Sequence, residues 1–562
     1  MANNIWQSGG RFFSSRQNNI LSAATVLMTA VLLSRVLGLV RDRLLAGTFF
    51  KNGGEWQLDV YFAAFRIPDM IFQLLVLGAL SAAFIPVYST YLQRNEKKSW
   101  EIVYGIITLA CLGFIIVAGT IYIFAEPLSR LIAPNFSTQE LSLMVSLTRV
   151  MLVSQFFFVI SNFFTGVLQS HQRFLLPAIA PILYNVGIIL GIIFLSPTMG
   201  IYGPTLGVVL GALLHLLVQW PLIKQLGFKY RLTLGVHLKG VRKIGKLMLP
   251  RTMALAVNQI ELTVAVFLAS AMSAGSLSVF YFSQHLQALP VGLFGLTIGQ
   301  AALPMLSKEV ETNDNYKKFK TLFMSSFNNI LYFALPASVL LLVLRIPLVR
   351  IAFGAKEFPW EATLLTGKVV AAFALSVAAQ AVIQILVRAF YALQNTKTPL
   401  LVGGISVFFN VGLSLCFVQK LGLDVVGLGL AISFSGIFQA VLLFILLDRQ
   451  VGRFEMGSYL IPLVKMLMAS VLTGIALWVP MRFLDQFVLD TTRTVQLVIL
   501  TVVASGCGFM VYIIFSKIFQ IEELEHFLQI LHKFGSWKKV FSQTEEVLSE
   551  ASASPPTTTS EN

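Results

Sequence analysis

The sequence predicts an all-α polytopic membrane protein with about 14 transmembrane helices: two six-helix lobes around a central cavity plus a C-terminal helix pair. Three observations carry this. First, the 562 residues are 56% AVILMFWYC and only 12% charged, with a mean hydropathy of +0.79. A soluble domain carries about 25% charge. A chain this apolar could not cover its own surface with polar groups, which excludes a soluble enzyme, a disordered protein and a secreted disulfide scaffold. Second, long apolar runs recur along the whole chain. Third, the two halves share a pattern of polar positions.

A spanning helix needs about 20 mostly apolar residues. Fourteen runs qualify, near 22–46, 60–91, 102–125, 141–168, 175–196, 200–223, 247–272, 278–305, 321–348, 362–392, 398–419, 424–448, 459–481 and 493–518. They are continuous and rich in Leu, Phe and Ala, unlike the alternating segments of about ten residues in a β-barrel. The first run is too long for a cleavable signal peptide, contains Arg35 and lacks a small-residue cleavage site. Cys111, Cys416 and Cys507 sit inside apolar runs without ligand spacing, and the six histidines form no cluster. No disulfide, metal or cofactor is expected.

The net charge of +15, from 41 Lys+Arg against 26 Asp+Glu, would suggest nucleic acid in a soluble domain. Here it is expected to hold cytoplasmic loops against anionic membrane lipids, with no nucleic-acid partner. The segment after span 6 carries Lys224, Lys229, Arg231, Lys239, Arg242, Lys243, Lys246 and Arg251 and no acid. The segment after span 2 carries Arg94, Lys97 and Lys98, and that after span 8 carries Lys308, Lys317, Lys318 and Lys320. The opposite loops at 197–200 and 273–277 have no Lys or Arg. Both termini are therefore expected in the cytoplasm.

Residues 167–187, VLQSHQRFLLPAIAPILYNVG, align with 392–412, ALQNTKTPLLVGGISVFFNVG, with Gln169 to Asn185 and Gln394 to Asn410 in one register. A weaker pair is AAFIPVYS at 82–89 against AALPMLSK at 301–308. The expected organisation is a cytoplasmic segment 1–21, an N-lobe 22–240, a C-lobe 241–455, spans 13 and 14 at 456–518, and a cytoplasmic tail 519–562. Within the tail, 519–540 is a mixed charged stretch and 541–562 reads as disordered. Two parallel six-span lobes are a transporter plan, with binding near the midplane between them.

Charges inside spans are costly and face a cavity or a partner. Span 1 holds Arg35 near its middle, then Arg41, Asp42 and Arg43; Ser34 and Arg41 share a helix face, and Gly38 permits close helix approach. Span 2 holds Asp59 and Arg66 seven apart, Asp69 three further on, and a kinking Pro68. Asp59 can neutralise an arginine of span 1. Span 7 holds Asn258, Gln259 and Glu261, and span 8 holds Gln284, His285 and Gln287. Asn185 and Asn410 read first as helix-packing hydrogen bonders. The excess of Arg over acid in spans 1 and 2 is the informative feature. Guanidinium forks match phosphate oxygens bidentately and stay charged in a low dielectric, so an anionic substrate with a phosphate or diphosphate headgroup is expected.

At these motifs the chain resembles the MurJ/MviN family of lipid II flippases, within the larger group that includes polysaccharide flippases and multidrug exporters. The matching motifs are SRVLGLVRD at 34–42, DVYFAAFRIP at 59–68 followed by GALSAAFIPV at 78–87, LPVGLFGLTIGQAALPMLSK at 289–308 and FYALQNTKTP at 390–399. The resemblance covers about residues 20–520. It implies transport of an undecaprenyl-diphosphate-linked disaccharide-pentapeptide from the inner to the outer leaflet of a bacterial cytoplasmic membrane by alternating access, for peptidoglycan synthesis. It implies that spans 13 and 14 form a groove for the lipid tail and that cell-wall synthesis machinery is a partner. It carries functional positions over to Ser34, Arg35, Arg41, Asp59, Arg66 and Ser278, and places His285 where the family has arginine.

The departures are specific. Phe72 and Gln73 stand where the family has two arginines, Leu77 where it has Glu, Gln284 and His285 where it has an Asp-Arg pair, and Ala288 where it has Glu. The sodium site of some members uses acids where this chain has Ala265 and Ser414, with Asn410 retained, which argues against that site here. The leading expectation is a lipid II flippase and not an enzyme. The rivals are a flippase of another polyprenyl-diphosphate glycan, a membrane glycosyltransferase, and a transporter fold kept as a scaffold. The short outer loops hold no paired carboxylates for catalysis.

Overall fold

A computed structural model describes residues 20–77, 84–310, 316–354, 358–488, 493–525 and 527–528. Among the described residues there is no β-strand. Helices suit hydrocarbon because each satisfies its own backbone donors and acceptors.

The first half comprises α1 (Ile20–Phe49), α2 (Glu55–Phe72, running into a π-helical turn at Gln73–Leu77), α3 (Ile85–Arg94), α4 (Glu96–Ile123), α5 (Ala125–Ile132) and α6 (Thr138–Ser170). It continues with α7 (Leu175–Leu190, then a π-helical turn at Gly191–Leu195), α8 (Ser196–Met199), α9 (Tyr202–Leu217) and α10 (Trp220–Gln225). The second half comprises α11 (Lys239–Ala269), α12 (Ser276–Pro290, then a π-helical turn at Val291–Leu296), α13 (Thr297–Val310), α14 (Lys317–Val343) and α15 (Arg345–Phe353). After it come α16 (Trp360–Ala374), α17 (Val377–Ala392), α18 (Lys397–Leu415, then a π-helical turn at Cys416–Lys420) and α19 (Asp424–Gln450), followed by the pair α20 (Met456–Phe487) and α21 (Thr494–Ile518).

Packing sorts the helices into two groups. In the first, α9 lies against α6 and α7, α2 against α6, and α1 against α7. In the second, α12 lies against α16, α13 and α14 against α17, and α19 against α16, α17 and α18. Helices α20 and α21 pack on each other, and α20 runs along α14.

Among the described residues, ten helices are long and apolar enough to cross a membrane, or eleven if the pair α16 and α17, bent by 44°, is one span. The other three expected spans are also helical. Each carries charge: α1 with Arg35, Arg41, Asp42 and Arg43, α2 with Asp59, Arg66 and Asp69, and α11 with basic residues in its first turns and Glu261. Residues 78–83 of the second expected span, the side chains of Arg251 and Asn258, segment 1–19 and the tail beyond 528 lie outside the described residues.

The bend between α16 and α17 frees backbone groups that neighbouring spans satisfy. Ser433 Oγ donates to Ala372 O at 2.7 Å, and Gln287 Nε2 donates to the side-chain hydroxyl of Ser376 at the bend at 3.1 Å. Close approach of α7 and α9 depends on glycine: a Cβ on Gly187 would stand 2.3 Å from the Gly211 Cα, and one on Gly211 would stand 2.4 Å from Tyr184 O.

The aligned segments share a plan with one difference. Each follows a left-handed residue that ends the preceding helix, Gln172 (φ 59°) and Gln394 (φ 56°), and each ends in a π-helical turn. However, α7 has 16 residues and α18 has 19, so the second is longer by close to one turn. The Asn-Val-Gly match therefore keeps one register with the π-helical turns that follow it. The Leu-Gln match falls out of step with the helix ends.

Candidate functional site

The site begins on α1, whose period brings Ser34 and Arg41 to one face. Asn185 of α7 reads that face. Its Nδ2 donates to Ser34 O at 3.2 Å and Ser34 Oγ at 3.3 Å, while its Oδ1 accepts from Arg41 Nη1 at 3.2 Å. The rest of the Arg41 fork donates to one oxygen of Asp42, Nε at 2.9 Å and Nη2 at 2.8 Å. The other oxygen of Asp42 meets His285 Nδ1 of α12 at 2.7 Å. Asp42 is 1% exposed, so one buried carboxylate joins a guanidinium of the first helix group to an imidazole of the second.

Arg66 of α2 makes a parallel connection to α11. Its Nε donates to Thr263 Oγ1 at 3.0 Å, and its Nη2 donates to Gln259 O at 2.6 Å and Gln259 Oε1 at 2.5 Å. Gln259 Nε2 donates to Gln73 Oε1 at 2.7 Å, and Gln73 Nε2 donates to Asp69 Oδ2 at 2.7 Å. The relay runs in one direction, from a cation through two amides to a carboxylate.

Between these two connections lies a cavity of about 190 Å³ lined by Arg41, Arg66, Asp69, Tyr61, Tyr184, Tyr281 and His285 among apolar side chains. Of the residues expected from sequence, Arg41, Arg66 and His285 meet here. Ser34 is engaged by Asn185 instead. Arg35 lies further along α12, its Nη1 donating to Ala288 O at 3.5 Å. Asp59 and Ser278 also lie elsewhere. Asp59, 5% exposed, accepts from Gly275 N at 2.8 Å, Ser278 N at 2.8 Å and Ser278 Oγ at 2.6 Å. It thus caps the N-terminus of α12 from across the groups, where a carboxylate suits the unpaired N–H groups and the helix dipole. Gly275 adopts φ 89° to aim its N–H there. The expectation that Asp59 balances a span-1 arginine is corrected: Asp42 does so, and Asp59 is a helix cap.

The cap belongs to a closed seam at this end of the molecule. Arg43 donates to Ile351 O at 2.5 Å and Gly354 O at 3.2 Å. The ring of Phe282 stacks on Phe353 at 4.6 Å, Phe50 packs edge-on to Phe358 at 4.8 Å, and Phe62 stacks on Tyr281 at 4.9 Å. The three tyrosines of the cavity went unread in the sequence because nothing separates a cavity tyrosine from a packing one before the helices are placed. Among the described residues, no group of three His, Cys, Asp or Glu side chains has metal-holding geometry.

A family profile described as "Lipid II flippase MurJ" matches residues 52–497. The chain belongs to the lipid II flippase MurJ family. A "Probable lipid II flippase MurJ" of Haemophilus influenzae is 30% identical over 471 residues, covering 80% of this chain and 90% of that protein. A "Lipid II flippase MurJ" of Burkholderia cenocepacia is 28% identical over 479 residues, covering 83% and 91%. A solved structure described as "Lipid II flippase MurJ, inward closed conformation" superposes with a TM-score of 0.73 at 27% identity, covering 88% of this chain and 98% of that one. An inward-facing multidrug MATE transporter shares the fold alone, with a TM-score of 0.62 at 16% identity. In this chain the seam at α12 is closed, and Asp42, Asp59 and Arg66 are among the residues that connect the helix groups.

Removing the α12 cap should open the seam. Asp59→Ala leaves the Gly275 and Ser278 donors unpaired, at about 1–3 kcal/mol for each buried group. In a background without native cysteines, Leu45→Cys reports on the cavity wall. A membrane-impermeant thiol reagent applied on the side of residues 270–275 should label it several times faster in Asp59→Ala, with Asp59→Asn intermediate. Equal rates would show that the seam does not depend on this carboxylate.

Proposed function

We propose that this chain moves lipid II, the lipid-linked peptidoglycan precursor, from the inner to the outer leaflet of a bacterial cytoplasmic membrane by alternating access. The observation that carries the reading is the cavity, in a MurJ-family chain, where Arg41 and Arg66 of the first helix group face Tyr281 and His285 of α12. A diphosphate can take the guanidinium donors that Asp42 and Gln259 hold here. Exchanging one acceptor for another avoids leaving a bare guanidinium in the bilayer, which costs several kcal/mol. The cavity is smaller than the roughly 300–1,000 Å³ that encloses a drug-sized ligand. It suits the diphosphate, so the sugar and peptide need the groups to part.

The basic segments after α3, α10 and α13 face the cytoplasm on this reading, both termini lie there, and fourteen helices span. The helix groups act as the N-lobe, 22–240, and C-lobe, 241–455. The closed seam is then the outer gate, and the protein is in an inward-facing state. Helices α20 and α21, within 456–518, expose Val471, Ile475, Val502 and Met510 and form the groove for the undecaprenyl tail. The activity is transport and not catalysis, and cell-wall synthesis machinery receives the product.

A second headgroup is favoured by one observation. Gln73 and His285, in place of family arginines, leave the cavity with Arg41 largely balanced by Asp42, and with Asp69 near Arg66. Another polyprenyl-diphosphate glycan needing fewer cationic contacts fits that lower charge.

In a bacterium depleted of its own lipid II flippase, the wild-type chain should restore growth and outer-leaflet exposure of lipid II. Arg41→Ala and Arg66→Ala should each lose at least about tenfold in rate, the scale of one lost charge-assisted contact. His285→Arg, which still reaches Asp42, should be tolerated. Full activity of Arg35→Ala combined with Arg41→Ala would end the diphosphate reading. For topology, Ala274→Cys should label from outside and Lys243→Cys only from inside; the reverse inverts the plan. As to coupling, Ala265 and Ser414 supply no carboxylate, and Asn410 Nδ2 donates to Ser435 Oγ at 3.2 Å. At fixed membrane potential, exchanging sodium for potassium should leave transport in vesicles unchanged; a strict sodium requirement would contradict this.

A further inference from the structure

Arg388 takes no part in the cavity described above. It sits one turn before the end of α17, half-buried, with Nη1 donating to Gln384 O at 2.6 Å and Gln384 Oε1 at 3.2 Å. Among the described residues no carboxylate is within ion-pair distance of it. Gln380, Gln384 and Arg388 recur every fourth residue, so they share one stripe of the helix, and each is partly open. A half-buried guanidinium on a membrane helix, offered only neutral partners from its own helix, calls for water or an anion.

Its position relative to span 8 gives it a meaning. A Cβ on Gly299 of α13 would stand 3.0 Å from Arg388 Nη1, just as one on Gly292 would stand 2.7 Å from Arg35 Nη2. The α12–α13 span therefore carries guanidinium groups at three levels. Arg41 is tied to His285 through Asp42, Arg35 lies over Ala288 and Gly292, and Arg388 lies over Gly299. Successive levels are seven residues apart, roughly 10 Å along a helix. Thr297, Gln300 and Ala301, between and beside the lower levels, are exposed, and the span ends near Lys308. A diphosphate is shorter than that step, so it can occupy one level at a time.

We propose that Arg388 is the loading station for the substrate's diphosphate, from which it passes to Arg35 and then to Arg41. The proposal rests on the reading above that the substrate is a polyprenyl diphosphate, and it adds a binding residue from the second helix group. With Nη1 held by Gln384, Nε and Nη2 remain to receive phosphate oxygens in the two-point geometry that a lysine cannot reproduce. If Arg388 only anchors the end of α17, neutral replacement leaves diphosphate binding unchanged.

The test is equilibrium binding of undecaprenyl diphosphate and of lipid II, each as a separate probe, to the full-length protein in phosphatidylcholine nanodiscs, read by native mass spectrometry. Arg388→Gln should weaken binding of both about tenfold, and Arg388→Lys should lie between it and the wild type. Gln384→Glu is nearly isosteric and places a carboxylate on the guanidinium. It should give the same loss, and it decides the matter if Arg388→Gln is not monodisperse. Wild-type affinity in either neutralised variant overturns the loading station while leaving the transport reading intact. A wild-type protein that binds undecaprenyl diphosphate but not lipid II, with both variants impaired, overturns the lipid II headgroup and supports the station. A wild-type protein that binds neither probe overturns both.

Discussion

Inside hydrocarbon a charge must be met by another polar group, and in this protein the two helix groups meet where that happens. Asp42 is the central case. Buried on α1, it receives Arg41 from its own helix and His285 from α12. Removing one partner of such a set leaves a buried charge uncompensated, which is far costlier than the set is stabilising. The register of α1 against α12 is therefore tied to this one carboxylate.

The same rule gives the seam its capacity to switch. Asp59 and Arg66 connect the groups through donors and acceptors that another partner can satisfy: backbone N–H groups of α12 for Asp59, and an amide of α11 for Arg66. Apolar packing between Phe50, Phe282, Phe353 and Phe358 adds area without direction. A seam made of exchangeable polar contacts and ring faces can part without unfolding either group, because the helices within each group also pack on one another. That is the mechanical requirement of alternating access.

The departures from the family pattern also have a physical account. Gln73, where the resemblance leads one to expect an arginine, transmits a hydrogen bond from Gln259 to Asp69. A neutral amide can both donate and accept, which a guanidinium cannot, so the substitution trades cavity charge for a completed relay between α2 and α11. His285 keeps the contact with Asp42 that a longer cation would make.

Much of the fold was legible from composition and run length, because hydrocarbon admits few structures and apolar helices of this length declare themselves. The arginines of spans 1 and 2, and the helix-facing role of Asn185, were legible for the same reason: a polar group at that depth needs a partner. What the sequence left open was which partner. Helical period placed Asp59 on a face with Arg66 but could not show that the N-terminus of α12 lies across from it. Nor could it show that a turn has been added to α18 relative to α7, or that Arg388, from a helix far along the chain, lines up with Arg35 and Arg41 of α1 along one span. Sequence alone determined that this chain is a bundle of membrane helices carrying buried charge, since that follows from the cost of each residue in hydrocarbon. Only the tertiary structure decided how the charges are paired, because pairing depends on distances between helices that no local pattern encodes.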